Sequence, residues 1–528
     1  MKKILIGILV AVAVLAACGF VLSQIAEHKL HEMLAKDIPG AQIDFRKASL
    51  SPILGNLEFR DIKISFCDST GTLPQIQGSI DVIRLEKLRW RSMLKGEARA
   101  KRLVIRGPKA QLVLPEQSAA KKPEEIPEDS ISNQASLLQK VSLSEVKVEK
   151  ASIGLRSQKD SLKVNVQNMG FSVHDINVLL AENTVEYNDS CYSFSLDSLF
   201  YADAPGLSCI KVGHLSTRDA GPVEGLGIHL YNCVPMETVA ERMGKVTAVW
   251  YDVNLDSLCT SPINIPRMAK AERVDVESIR VSSPGIVLFQ DNRYPPAVPY
   301  TTMQEGLNAV ELPLHIGQVD VNVKKFNFIM ETTHINRGSI AMDDLHVAIK
   351  SISNAPNNVM GLSVRYGNKK TGTMNLAVKI HNDKHETTTG ELHVRGLDAS
   401  RMDNFIRPLF GATARADIHQ IDGTFKGNKD EMTEEFCMQY ENLSIQAWND
   451  ETAPFKIMAK NSGAVTFLAN LILPSANPSK PGKEPKSVQV SFKRDVMQPY
   501  PAYLVQNLTM GMLRTVLPGG SIKKDNKK

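Results

Sequence analysis

The chain has 528 residues, too many for one ordinary core, so several domains or a repeat array are expected. Hydrophobic residues make up 43% and charged residues 23%, which excludes a disordered chain. A net charge of +5 over this length gives no case for a nucleic-acid partner, and with aromatics at 6% the buried surface must be mostly aliphatic.

Met1-Lys2-Lys3 precedes an unbroken apolar run from Ile4 to Leu22, nineteen residues long. A signal-peptide core spans roughly 7–15 residues. A membrane-spanning helix needs about 17–25. The run therefore reads as an uncleaved single-pass anchor, with Lys2 and Lys3 on the cytoplasmic side and the body exported. Leu15-Ala16-Ala17-Cys18 also matches the box that ends a bacterial lipoprotein signal, so lipidation at Cys18 is the alternative. Against it, the apolar run continues past Cys18, and a helical stretch from about Ser23 to Lys36 follows with no polar tether.

From about residue 43 to 450 the dominant signal is alternation of period 2, the mark of strands with one apolar face. The alternation repeatedly skips one position. Leu162, Val164 and Val166 are followed by Met169, Phe171 and Val173, then Ile176 and Val178. Val319, Val321 and Val323 are followed by Phe326 and Phe328. Ile340 and Met342 are followed by Leu345, Val347 and Ile349, and Leu57 and Phe59 by Ile62, Ile64 and Phe66. A bulge or tight turn at each skip would return the next apolar set to the same face. Arg102 to Leu114 and Ser278 to Phe289 share a pattern, with Pro108 and Pro284 between two apolar stretches, and Glu145 to Leu155 has the same shape with Ala151 in place of proline. Repeated strand–turn–strand units suggest one long curved sheet growing unit by unit, and separate β-sandwiches are the alternative.

Helices are expected at 130–141, at 398–411 with Asp398 as N-cap, and at 500–520. The last carries Tyr503, Leu504, Leu508, Met512 and Val516 near one stripe, suited either to capping the sheet or to dipping into a bilayer. Residues 115–130 are Pro-rich and charged and read as an exposed linker, 474–487 reads as another loop, and the KKDNKK tail is basic. The sections are then 1–23 anchor, 24–42 juxtamembrane helix, 43–114 first β unit, 115–141 linker and short helix, 142–300 middle β region, 301–473 late β block, and 474–528 loop, strand, amphipathic helix and tail.

Seven cysteines form no C-x-x-C. In an oxidising compartment Cys191 with Cys209, or Cys233 with Cys259, could pair; otherwise these are buried thiols. No phosphate loop, nucleophile elbow or zinc-protease motif occurs, so no catalytic, metal or cofactor residues are assigned and no enzyme is expected. His28 and His31 share a helix spacing and read as solvated. Residues 84–109 hold ten basic residues against Glu86 and Glu97. Within them Arg89, Trp90, Arg91 and Lys95 are the candidate contact with anionic headgroups; the other reading is a solvated sheet face.

Three stretches carry a family resemblance: the anchor running into a short helix, Arg91 to Leu114, and Gly372 to Gly427 with its strand, "GLDAS", short helix and strand. In these the chain resembles the AsmA-like proteins of Gram-negative envelopes, relatives of TamB in the bridge-like lipid-transfer group. The resemblance implies a mainly β protein, an elongated, curved, groove-like sheet standing in the periplasm on an inner-membrane anchor. It implies binding or guiding of phospholipid, a part in outer-membrane lipid homeostasis, contacts with other envelope proteins and no catalytic residues. An assembly factor for outer-membrane proteins is the alternative. Candidate groove-lining residues are Val164, Val166, Phe171, Val173, Val319, Val321, Val323, Phe326, Phe328, Val347 and Ile349. With strands about 4.8 Å apart, roughly 20–25 of them would span on the order of 100–120 Å. By the family picture that is too short to cross the periplasm alone, so a partial conduit or shuttle is expected.

Overall fold

The computed structural model describes residues 41–51, 53–66, 75–93, 95–114, 139–158, 161–179, 184–332, 337–368, 372–398, 400, 403–404, 407, 412–447, 473–500, 503, 511–512 and 514–516. The expected anchor, the juxtamembrane helix with His28 and His31, Cys18, Cys67, the 115–130 linker and the basic tail lie outside them. Among the described residues, no helix is long and apolar enough to cross a membrane.

The protein is mainly β and divides into two compact units, Met1–Ile228 with Pro262–Arg267, and His229–Ser261 with Met268–Lys528. The first unit contains β1 (Ala41–Ser51), β2 (Asn56–Phe66), β3 (Gln75–Glu86), a short helix α1 (Trp90–Met93), β4 (Glu97–Arg106), β5 (Lys109–Leu114), β6 (Lys140–Ser157), β7 (Lys163–Leu179), β8 (Thr184–Glu186), β9 (Tyr192–Leu196), β10 (Ser198–Ala202) and β11 (Ser208–Arg218). β12 (Glu224–Asn232) and α2 (Val239–Arg242) follow. Next come β13 (Ala248–Thr260), α3 (Ile265–Lys270), β14 (Val274–Ser283), β15 (Gly285–Asn292), α4 (Met303–Asn308), β16 (Leu314–Thr332) and β17 (Gly338–Ser353). The chain continues with β18 (Val359–Asn368), β19 (Gly372–His381), β20 (Thr388–Asp398), β21 (Ala412–Gly427), β22 (Glu431–Ala447) and β23 (Ser487–Lys493).

The same topology occurs in both units. β4 and β5 both pair antiparallel with β3 and parallel with β6, and β14 and β15 both pair antiparallel with β13 and parallel with β16. A short helix enters before each broken strand: α1 before β4, α3 before β14. The internal sequence similarity marks this unit, but the expectation of a strand–turn–strand is corrected. Gly107-Pro108 and Pro284 interrupt one continuing strand and do not reverse it. Proline lacks an amide donor, so it is tolerated where the ladder is already broken. In Glu145–Leu155, which lacks the proline, β6 is not broken into two strands, although its pairing with β7 is irregular at Ala151.

Apart from the skip from Val323 to Phe326, each phase skip is taken up by a residue in the left-handed region. Asp61, Lys150, Asn168, Asp175 and Asp344 have φ of 54°, 54°, 52°, 53° and 54°. These lie between Phe59 and Ile62, Val148 and Ala151, Val166 and Met169, Val173 and Ile176, and Met342 and Leu345. A left-handed residue turns the backbone locally and rotates the following side chains to the other parity. Pairing resumes in the same register on either side: Arg60 with Val82 and Ile62 with Ile80 flank Asp61, and Leu345 with Val323 and Asp343 with Lys325 flank Asp344. Aligned steps crease the sheet and leave the apolar residues before and after on one face.

Other expectations divide. Of the described residues at 398–411, Asp398 ends β20, and Ser400, Asp403, Asn404 and Arg407 are helical. At 130–141 the described end, Lys140 and Val141, belongs to β6. Within the 474–487 loop, Asn477 is buried and exchanges backbone hydrogen bonds with Tyr440 on β22, at 3.1 and 2.9 Å. Cys209 and Cys233 are disulfide-bonded, whereas Cys191 and Cys259 are free thiols, so neither sequence-level pairing forms.

The crease has a direct test. Asp344→Gly removes the cost of positive φ and holds or raises the unfolding midpoint. Asp344→Val places a branched side chain there and lowers stability by about 1–2 kcal/mol, read by chemical denaturation.

Candidate functional site

Cross-strand neighbours share a face, so registers can be followed from strand to strand. In the second unit one row runs Leu258, Val281, Val321, Val347, Val364, Leu376, Leu392, Gly423, Phe436, Val488. It crosses ten strands, β13, β14 and β16 to β23, without a polar side chain. Beside it runs Ile279, Val319, Ile349, Leu362, Val378, Gly390, Phe425, Glu434, Val490. Beyond the crease, Ile286, Phe326 and Met342 align, as do Leu288, Phe328 and Ile340.

In the first unit Leu50, Leu57, Leu85, Leu103, Val146, Val173 and Tyr192 form a row, all but Leu50 and Val146 buried. Across the crease lies Ile43, Ile64, Gly78, Ala110, Ile153, Val166, Leu199, Val212, in which no residue is fully buried.

Burial changes along the ten-strand row. From Leu258 to Leu376 the side chains are half-buried; Leu392, Phe436 and Val488 are buried. The C-terminal segment covers that end. Met512 and Val516 pack on the cluster containing Phe436, and Tyr500 and Tyr503 join Met360, Val378 and Phe425. Gly511 permits this approach, since a Cβ there would meet Phe436 Cγ at 2.8 Å. The described apolar residues of the C-terminal stripe thus pack on the sheet, the capping alternative. Gly390 makes room differently: the Phe425 ring fills its Cβ space, 2.1 Å from the ideal position.

The sequence-assigned residues fall into two sets. Val164, Val166, Phe171 and Val173 lie on β7 in the first unit; Val319, Val321, Val323, Phe326, Phe328, Val347 and Ile349 lie on β16 and β17 in the second, where the registers bring them together. Val173 and Val323 are buried and Phe171 is exposed; the others are half-buried. Sequence reasoning missed Val281, Val364, Leu376 and Val378, which complete the rows. Their alternation is plain in β14, β18 and β19, but strand order is not written in it.

The opposite face is mostly polar. Glu58 bonds Arg60 and, at 2.6 Å, Arg84; Arg102 meets Glu145 at 2.6 Å and Arg106 meets Glu149 at 3.0 Å. Burial raises the Glu58 pKa, but the two arginines outweigh it and hold the carboxyl below its ordinary range. The in-strand half of the basic run is therefore a ladder of ion pairs, the solvated-face reading. Arg89, Trp90, Arg91 and Lys95 lie outside the strands, around α1. The three cations are exposed, and Trp90 is half-buried against the core. One part of this face is apolar: Trp250, Phe289 and Ile329 align across β13, β15 and β16, and α2 covers them with Val239 and Ala240.

Glu434 interrupts the second row beneath the C-terminal segment. It is 0% exposed, and neither carboxylate oxygen has a hydrogen-bond partner. Burial pushes its pKa up to about 7 from 4.5. Among the described residues, no cluster of His, Cys, Asp or Glu could hold a metal ion. The chain matches no protein-family model and no curated protein.

Because its folded pKa is raised, Glu434 binds more protons in the folded than in the unfolded state between pH 4.5 and about 7. Stability falls as pH rises through that window, by about 3 kcal/mol for a shift of this size. Urea unfolding from pH 4.5 to 8 should show this loss, and Glu434→Gln should abolish most of it and be the more stable protein at pH 8.

Proposed function

We propose that this chain is an AsmA-like envelope protein that binds phospholipid acyl chains along the apolar face of its sheets. It contributes to outer-membrane lipid homeostasis from an inner-membrane anchor, residues 4–22, with its body in the periplasm. The observation that carries this reading is the ten-strand apolar row, half-buried over its first six strands and buried where the C-terminal segment lies on it. A face that served only as core would be buried along its length. A half-buried aliphatic strip of this extent gains by covering with hydrocarbon. Val281, Val321, Val347, Val364 and Leu376 offer contacts without hydrogen-bond demands, which suits acyl chains of any length and discriminates poorly among them.

Two further observations support the setting. A disulfide fits an oxidising compartment and an exported body. The paired charges of the opposite face suit contact with water. On this reading the groove is an elongated open trough, and the protein works by partition and guidance, with no covalent step.

The full chain, extracted in mild detergent, should carry phospholipid detectable by mass spectrometry of its organic extract. Val321→Asp with Val347→Asp puts charge in the trough and should lower bound lipid about tenfold or more while circular dichroism is kept. Val321→Ala with Val347→Ala, which is apolar, should retain it. Lipid-free wild-type protein that crosslinks to outer-membrane proteins would replace this reading with that of an assembly factor.

A further inference from the structure

The turn joining β1 to β2 is unusual for its chemistry. Its tip holds Ile53 and Leu54, 98% and 65% exposed. Turns favour Gly, Asn, Asp and Pro, and here Gly55, with φ of 66°, already supplies the required backbone. The two aliphatic side chains are thus not needed for the turn, and both are costly in water.

The tip is held in place beside a group of cations. Leu88 N–H donates to the Gly55 carbonyl at 2.7 Å, and Lys87 N–H donates to Asn56 Oδ1 at 3.1 Å. A Cβ on Gly55 would come within 2.5 Å of the Leu88 oxygen, so the approach is close. Lys87, Arg89, Arg91 and Lys95, all exposed, follow on this docked segment. Among the described residues no carboxylate pairs with any of the four, in contrast to Arg84, Arg99, Arg102 and Arg106 in the neighbouring strands. A concavity of about 660 Å³ beside the tip is lined by Leu54, Lys87, Arg89 and Trp90, and among the described residues of its wall Asp175 is the one carboxylate.

We propose that this corner is a foot on an anionic lipid surface. Ile53 and Leu54 enter the boundary between headgroups and acyl chains, and Lys87, Arg89, Arg91 and Lys95 take the surrounding phosphates. Aliphatic tip plus cation collar is the complement of that boundary, which is apolar below and anionic above. A protein partner is disfavoured because two side chains fall far short of the roughly 800 Å² per partner that a stable interface buries. A nucleic acid would engage the cations but gain nothing from the aliphatic tip. The foot adds a second, peripheral contact to the membrane attachment proposed above and rests on it.

The test uses the full chain reconstituted into vesicles of phosphatidylglycerol and phosphatidylethanolamine. A benzophenone amino acid at Leu54 is irradiated, and lipid adducts are measured by mass spectrometry. Val298, 68% exposed, takes the same probe as control. The Leu54 position should yield about tenfold more adduct than Val298. Phosphatidylcholine vesicles, or the combined changes Lys87→Glu, Arg89→Glu, Arg91→Glu and Lys95→Glu, should remove about nine-tenths of it. Ile53→Ser with the probe at Leu54 should lower it without touching the charges, which guards against misfolding of the charge variant. Equal adduct at Leu54 and Val298, or adduct insensitive to charge, overturns the foot. Carbonate-resistant retention in the vesicles reads the anchor separately, so a retained chain without adduct fails the foot alone.

Discussion

The alignment of aliphatic side chains from strand to strand is the constraint on which the rest depends. A strand has two faces, and a slip of one residue moves every side chain to the wrong one. In the second unit ten strands hold Leu258 through Val488 in a single row, so the register at each pairing must be correct for the face to exist at all. In the first unit the polar face also fixes register, where Arg84, Arg102 and Arg106 meet Glu58, Glu145 and Glu149 across strands.

Strands of sixteen to nineteen residues, such as β6, β16 and β17, pose a second problem, since a long strand twists its faces away from its neighbours. The creases at Asp61, Lys150, Asn168 and Asp344 relieve it. Each costs a residue at positive φ, and each is repaid by an apolar face that continues on the far side. Gly107-Pro108 and Pro284 do the same work by interrupting the strand. The repetition of this device in β3–β7 and β13–β17 is what makes the architecture repeat-like.

Much of this was legible in the sequence. The alternation gave the strands, and the skipped positions gave the steps, because a phase change in apolar period has a local cause in the backbone. The role of Pro108 and Pro284 was misread for a physical reason: proline signals a break in the ladder, and whether the chain then reverses or continues depends on partners far away. The parallel pairing of β4 and β5 with β6 is equally non-local. The Ile53–Leu54 tip went unnoticed because two aliphatic residues in a β-rich sequence look like strand, and only their exposure distinguishes them. Glu434 was hidden too, since one acid among alternating residues on β22 gives no sign of which face it takes.

The account rests on acyl chains occupying the apolar rows. Photocrosslinking from within the row tests this most directly. A diazirine amino acid at Val347, on the ten-strand row, is compared with the same probe at Lys350, exposed on the same strand, in full-length protein irradiated in intact cells. The account predicts phospholipid adducts from Val347 and few or none from Lys350. Protein adducts alone from Val347, or equal lipid labelling at both positions, would contradict it.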